Sequence, residues 1–144
     1  MTGGHPDGGW HRPLHHTPAG HLDTGTAQTP GMVRREAISG RRSGSEAIWM
    51  GETVVAPASR SADHHHGASE TGIYVVAGHP VFVFLDGGVE RRIEAAPGDY
   101  VYVPPFTPHR EENPSVDDPA VVVIARSTQE AVVVNLADLT GRPG

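Results

Sequence analysis

The 144-residue chain contains no cysteine and no lysine, and all eleven basic residues are arginines. Disulfides, zinc–thiolate sites, iron–sulfur clusters and a cysteine nucleophile are therefore excluded. Because there is no lysine, Schiff-base chemistry and a lysine general base are also excluded. The sequence also lacks an apolar run that could span a membrane and the apolar core of a secretory signal, so we expect a cytoplasmic protein.

The balance of charge is mildly acidic, with a formal net charge of -6. Nucleic acids and anionic membranes are recognised by positively charged surfaces, so neither is an expected partner. The expected ligand is a small molecule. The length allows one domain with a hydrophobic core.

The first 31 residues differ in composition from the rest of the chain. Residues 1–31 are rich in glycine, proline and histidine, and they show neither a strand nor a helix period. Such a segment buries too little apolar surface to offset the entropy lost on ordering. We predict a disordered or arm-like tail over residues 1–31, part of which could lie along a partner subunit, and one domain over residues 32–140.

Short apolar or alternating segments separated by turn residues fill that domain. The expected strands lie at residues 32–38, 47–55, 70–77, 81–85, 89–94, 100–103, 120–126 and 130–135, and another short strand begins at residues 108–110. No long amphipathic helix is visible. The pattern predicts an all-β sandwich or barrel.

The segment 64–70 carries potential metal ligands. His64, His66 and Glu70 occupy even positions and would share one face of an extended strand, whereas His65 would point the other way. His109, which follows a loop stiffened by three prolines, is a distant fourth candidate. Three imidazoles and one carboxylate suit one divalent transition metal such as Fe, Mn, Co, Ni, Cu or Zn.

These residues resemble the two motifs of the cupin superfamily. The first motif is Gly, five residues, His-x-His, three or four residues, Glu, six residues and Gly, and it is matched here from Ala58 to Gly78. The second runs from Gly98 through Pro104 and His109 to Asn113 with every spacing kept. The departures are Ala58 and Phe106 in place of glycine, and one extra residue before Gly78.

The resemblance covers about residues 45–135 and implies a specific architecture. We expect a double-stranded β-helix, or jelly-roll barrel, that holds a metal inside. It also implies a homodimer in which N-terminal strands pair or exchange.

Two further residues are candidates for catalysis by strand parity. Tyr74 shares the parity of Glu70 and could act in proton transfer; the alternative is a core tyrosine. Glu111 shares the parity of His109 and could be a carboxylate beside the metal; the alternative is a solvated strand end.

Aromatic residues are the candidates for the wall of a substrate pocket. They are Trp49, Phe82, Phe84 and Tyr102, and core packing is the alternative for each. The pattern places no basic residue in the cavity, which argues against a phosphorylated sugar unless Arg110 or Arg126 points inward.

The functional hypotheses fall into different classes. The first is a metal-dependent enzyme acting on a small organic molecule, foremost an oxidoreductase of the dioxygenase type. A non-redox isomerase, cyclase or lyase is the second. A non-catalytic ligand-binding or sensor protein and a metal-free structural cupin are the alternatives without turnover, because one fold hosts many functions.

Overall fold

The computed structural model describes residues 11–129 and 132–141, and almost all of its regular structure is β-strand. The strands are β1 Met32–Ile38, β2 Trp49–Val55, β3 Ser59–Arg60, β4 His64–His65, β5 Thr71–Ala77, β6 Val81–Asp86, β7 Val89–Glu94, β8 Tyr100–Val103, β9 His109–Asn113, β10 Ala120–Arg126 and β11 Val134–Asn135. A 3-10 turn, Ala19–His21, and a single helical turn, α1 Gly40–Ser43, complete the elements.

The strands form two antiparallel sheets that face each other. One sheet has the order β1-β2-β10-β5-β8, and the other has the order β11-β4-β9-β6-β7, with β3 also paired to β9. Neighbours that are distant in sequence, such as β2 beside β10, mark the crossovers of a jelly roll. The all-β jelly-roll prediction is confirmed.

Alternation along the strands places the core between the sheets. In β2 and β10 every second residue is buried, beginning with Trp49 and Ala120. The main cluster of buried apolar side chains consists of Trp49, Ile73, Val75, Phe82, Ala95, Val103, Val122 and Ile124. This core fills one part of the interior, whereas polar side chains fill the part described below.

Several segments differ from the sequence-based expectations. Residues 40–43 form a helical turn rather than a loop, because the Ser39 hydroxyl accepts a hydrogen bond from the Arg42 amide. The last predicted strand is reduced to Val134–Asn135, and residues 130–131 lie outside the described residues.

Part of the predicted tail packs against the barrel. Asp23 forms an isolated antiparallel bridge with Glu36 of β1. Thr29 is buried, and its hydroxyl donates to Asn135 Oδ1 over 3.0 Å. The segment that precedes β1 therefore acts as an arm along the edge of the first sheet. Residues 1–10 of the predicted tail lie outside the described residues, and the domain boundary stays a prediction.

Within the described ranges, none of the helical segments has the length or apolar character needed to cross a membrane.

Candidate metal centre

Three histidines, two from paired strands and one from the segment that follows the first of them, meet inside the barrel. His64 of β4 pairs directly with His109 of β9, and His66 follows two residues after His64. One ring nitrogen from each lies within 4.8 Å of those of the other two. Their exposed fractions are 1%, 4% and 6% for His64, His66 and His109. The arrangement suits a metal ion.

Hydrogen bonds fix which nitrogen each ring offers. The Nδ1 atoms of His64, His66 and His109 lie 2.7, 2.8 and 3.0 Å from the carbonyl oxygens of Ala62, Val132 and Thr107. A carbonyl oxygen only accepts, so each Nδ1 carries the proton and donates. The lone pair of each neutral ring is left on Nε2, which is the state a metal-binding imidazole requires.

Burial keeps the three rings neutral. Desolvation lowers the pKa of His109 to about 4, with positive charge on Arg34 and Arg126 acting in the same direction. It also lowers the pKa of His64 and of His66 well below the usual value. Near neutral pH no proton competes with a metal for these nitrogens. The donor set therefore fits a divalent transition metal.

Glu70, the expected fourth ligand, does not join this cluster. Its side chain is exposed on the outer face, where the Tyr102 hydroxyl donates to Oε1 over 2.7 Å. The structure thus assembles three of the four residues expected to hold the metal.

The next residue, Thr71, occupies the inward position instead. Thr71 is 1% exposed, and its hydroxyl has no hydrogen-bond partner among the described residues. The cause is the turn after His66: Gly67 adopts φ +57°, and the alternation of β5 starts one residue out of step with that of β4. Gly78 marks the far end of β5, where a Cβ would come within 2.8 Å of Ala120. The motif has six residues between its glutamate and its last glycine, and the six residues before Gly78 are 72–77, so that spacing points to Thr71 rather than Glu70. The extra residue in the first motif is therefore the signal that could have revealed this register.

Glu111 lies inside the barrel, on the same face of β9 as His109. Its side chain is fully buried, and Oε2 has no hydrogen-bond partner among the described residues. Desolvation raises the pKa of Glu111 to about 7, although the positive charge of Arg34 opposes the shift. A buried carboxyl group that can hold or release a proton near neutral pH thus lies on the same strand face as His109.

Two arginines that strand parity left uncertain or did not consider also point inward. Arg34 of β1 and Arg126 of β10 are 0% and 1% exposed. Desolvation lowers their pKa values to about 10 and about 9, so both remain cationic at neutral pH. Arg110 faces outward and pairs with Asp63 and Glu112. The argument against a phosphorylated sugar depended on Arg126 not pointing inward, so it no longer holds.

An apolar pocket of about 290 Å³ opens beside His109. Three of the four predicted wall residues, Phe82, Phe84 and Tyr102, line it. The fourth, Trp49, is instead fully buried in the core, with its Nε1 donating to Glu36 Oε1 over 3.0 Å. The remaining walls are also largely apolar.

Tyr74 lies on the outer face of the first sheet, away from the histidines. It is 37% exposed, and its ring centroid lies 4.8 Å from that of Tyr100. The one-residue change of register that turns Glu70 outward turns Tyr74 outward too. The expectation that Tyr74 points inward does not hold in this structure.

The two residues that replace glycines of the family motifs keep the glycine backbone conformation. Ala58 has φ 53° and Phe106 has φ 58°, the only non-glycine residues with positive φ in the described part of the chain. Both therefore hold a left-handed conformation that disfavours a Cβ atom. The loops around the site keep their shape at a cost in backbone strain.

Comparisons with known proteins agree with this geometry. A 3-hydroxyanthranilate 3,4-dioxygenase from Cupriavidus pinatubonensis is 28% identical over 90 residues, which are 60% of this chain and 48% of that protein. The chain spans about half the length of the curated relatives it matches.

Solved structures of two oxalate-metabolising enzymes share the fold. Oxalate decarboxylase from Bacillus subtilis, described with Mn(II) centres, has a TM-score of 0.66 at 23% identity and covers 77% of this chain and 29% of its own. An oxalate oxidase in complex with glycolate has a TM-score of 0.66 at 19% identity and covers 78% of this chain and 60% of its own.

The family model described as a cupin domain matches residues 51–126, more than half of the chain. This span includes all three histidines of the cluster, and the chain belongs to the cupin family.

Proposed function

We propose that the protein is a metal-dependent enzyme of the dioxygenase type that acts on a small organic molecule. The observation that carries the proposal is the convergence of three buried, neutral imidazoles inside the barrel. The similarity to a dioxygenase over 90 residues supports the redox assignment.

Different residues of the chain would have different roles in such a site. His64, His66 and His109 would hold the metal, and the carbonyl groups that accept from their Nδ1 atoms orient the rings. When bound, a redox-active divalent metal supplies dioxygen activation and Lewis-acid polarisation of the substrate. The apolar pocket beside His109 would hold the body of the substrate and exclude water.

A non-redox isomerase, cyclase or lyase is the second candidate, and the position of Glu111 favours it. This buried carboxyl group lies on the same strand face as His109 and forms no hydrogen bond through Oε2 to the described residues. It is therefore free to accept a proton from a substrate or to donate one. In this reaction class Glu111 would move the proton that the first candidate does not require.

Metal identity combined with dioxygen consumption tests the proposal. Purified protein is analysed for bound metals, then incubated with phenolic, diketone and thiol substrates in an oxygen electrode. We expect a redox metal and dioxygen uptake in the parent protein and in His65→Ala, and neither in His66→Ala. Zinc alone, with no dioxygen uptake but with isomerisation or cleavage of a substrate, would support the second candidate. Zinc or no metal, with no turnover, would favour a ligand-binding or structural protein.

We also propose a homodimer, as the resemblance implies. Multi-angle light scattering on the purified chain should give twice the monomer mass of 15.3 kDa. A monomer at micromolar concentration would contradict this expectation.

A further inference from the structure

Two buried arginines face the histidine cluster without acceptors for their charged groups. Nε, Nη1 and Nη2 of both Arg34 and Arg126 are buried and form no hydrogen bond to the described residues. Buried charged groups of this kind are costly unless a partner satisfies them.

Each arginine stands next to a threonine that is also unsatisfied. Arg34 pairs across the sheet with Thr53, and Arg126 pairs with Thr71. Residues paired in this way have Cβ atoms about 5 Å apart. Both threonine hydroxyls are buried and have no hydrogen-bond partner among the described residues. Hydrogen-bond donors on the four adjacent strands β1, β2, β10 and β5 are thus buried on the inner face of one sheet.

The charge of that interior is positive. Both arginines are buried on the inner face of the first sheet, opposite the sheet that carries His64 and His109, and their positive charge lowers the pKa of both histidines. Glu111 is the carboxyl group that acts on Arg34, and the other buried carboxyl group on the inner face of β1, Glu36, is already paired with Arg41, so these carboxyl groups do not balance the two cations. A divalent metal on the three neutral imidazoles would increase the excess.

The packing around the arginines does not remove that excess. Arg126 lies over the Trp49 ring, 5.0 Å from the centroid, and this contact stabilises the cation without satisfying its N–H groups. Arg35, the outward neighbour of Arg34, forms an ion pair with Glu52. The strand that leaves its inner arginine unpaired therefore pairs its outer one.

We propose that the barrel binds a small organic carboxylate, with its carboxylate group held by Arg34 and Arg126 and its apolar body directed to the pocket beside His109. The guanidinium fork matches the geometry of a carboxylate, and the threonine hydroxyls supply further donors. The statement that this carboxylate is the substrate rests on the proposed function.

The shape of the interior favours a carboxylate over inorganic phosphate. Most of the pocket that includes His109 is apolar: Phe82, Phe84, Val101 and Val103 offer no hydrogen bond to a phosphate oxygen, and Tyr102 and Thr107 are the polar residues in its wall besides His109. A ligand with one anionic end and one apolar end satisfies both parts of the interior.

Benzoate and its neutral isostere benzamide are matched probes for this site. Isothermal titration calorimetry and thermal unfolding are carried out on the full chain with benzoate, benzamide and inorganic phosphate. We expect benzoate to bind and to raise the unfolding temperature, and benzamide and phosphate to do neither. Equal binding of benzamide, or binding of phosphate but not benzoate, would overturn the assignment.

Variants locate the bound carboxylate. Arg34→Gln and Arg126→Gln should each weaken benzoate binding by about 10–100-fold, the loss expected for a charge-assisted hydrogen bond. Arg35→Gln, one residue along on the outer face, should leave the affinity unchanged. If an inner variant does not fold, Arg126→Lys, which keeps the charge but not the fork, should bind benzoate measurably but more weakly than the parent protein. Unchanged benzoate affinity in folded Arg34→Gln and Arg126→Gln would place the probe elsewhere.

Metal analysis of the same samples separates this inference from the proposed function. The arginines belong to the chain, so benzoate should also bind protein from which metal has been removed with a chelator. Bound metal without benzoate binding would overturn the carboxylate assignment alone. Benzoate binding by protein that takes up no metal would overturn the proposed enzyme and leave an anion-binding cupin.

Discussion

On the same strands, charged side chains on the inner face carry polar atoms without partners among the described residues, whereas their neighbours on the outer face form ion pairs. On β1, inward Arg34 has no hydrogen-bond acceptor among the described residues, whereas outward Arg35 pairs with Glu52. On β9, Glu111 is buried with Oε2 unsatisfied, whereas Glu112 accepts from both Arg92 and Arg110.

This difference indicates that these inner polar groups are available to a bound ligand, whereas the outer ones are not. Outer ion pairs are complete within the fold and contribute little individually to stability. Inner polar groups without partners are costly, and each needs an explanation such as a catalytic role or a bound molecule or ion. The two faces therefore offer matched pairs of residues of one type, with one member inside the site and one outside.

The largest expected effect comes from the histidine pair. His109→Ala removes one of three imidazoles and should reduce metal affinity by at least about 100-fold, beyond the usual loss for an outer-shell partner. His65→Ala removes a ring whose Nδ1 accepts from the Gly67 amide and should keep the metal. Metal content after dialysis, measured by mass spectrometry, checks the contrast. Equal loss of metal in both variants would show that His65 contributes to the metal site as much as His109 does.

The glutamate pair tests proton transfer. If the acid–base reaction is correct, Glu111→Gln should reduce kcat by about 10²–10⁴-fold, because the amide cannot exchange a proton with substrate. Glu112→Gln should leave kcat unchanged. Steady-state kinetics on protein with equal metal content makes the comparison. If Glu111→Gln retains full activity, the carboxyl group takes no part in the reaction, as a dioxygenase would allow.

The arginine pair tests the cost of the unpaired charge. Without ligand, Arg34→Met should increase the free energy of unfolding by about 1–4 kcal/mol, since an apolar side chain replaces a buried cation. Arg35→Met should lower it by up to about 1 kcal/mol through loss of the pair with Glu52. Chemical denaturation measures both. A destabilised Arg34→Met protein would show that the inner guanidinium is satisfied within the fold.

The smallest effect concerns two nearby alanines in the loop before the histidines. Ala58 has a positive φ, so Ala58→Gly should stabilise the protein by up to about 1 kcal/mol. Ala56 does not, so Ala56→Gly should destabilise it by about 0.5–1 kcal/mol. Opposite shifts in the denaturation midpoint are expected. Shifts of the same sign would argue against strain at Ala58.

The strands and the histidines were accessible to sequence reasoning because their signals are local. Alternation, turn residues and proline stops predicted β1 and β10 with their observed bounds. The even spacing of His64 and His66 depends only on strand geometry, and the second motif placed His109 opposite them. These local patterns predict correctly because they depend on strand geometry and not on how the strands pack together.

The inward orientation predicted for Glu70 and Tyr74 is wrong for one physical reason. Parity was carried across Gly67, where the backbone turns with a positive φ and the alternation restarts. Arg34 was not among the candidates, because arginine is rarely buried, and the sequence alone left open whether Arg126 points inward. Only the pairing of β1, β2, β10 and β5 in one sheet shows that both arginines face the histidines.

The metal content of Glu70→Ala, compared with that of His66→Ala and the parent protein, tests the central claim most directly. The claim is that the three inner histidines form the metal site and that Glu70 lies outside it. The account predicts one bound equivalent in the parent and in Glu70→Ala, and none in His66→Ala. Loss of metal in Glu70→Ala, or its retention in His66→Ala, would contradict the account.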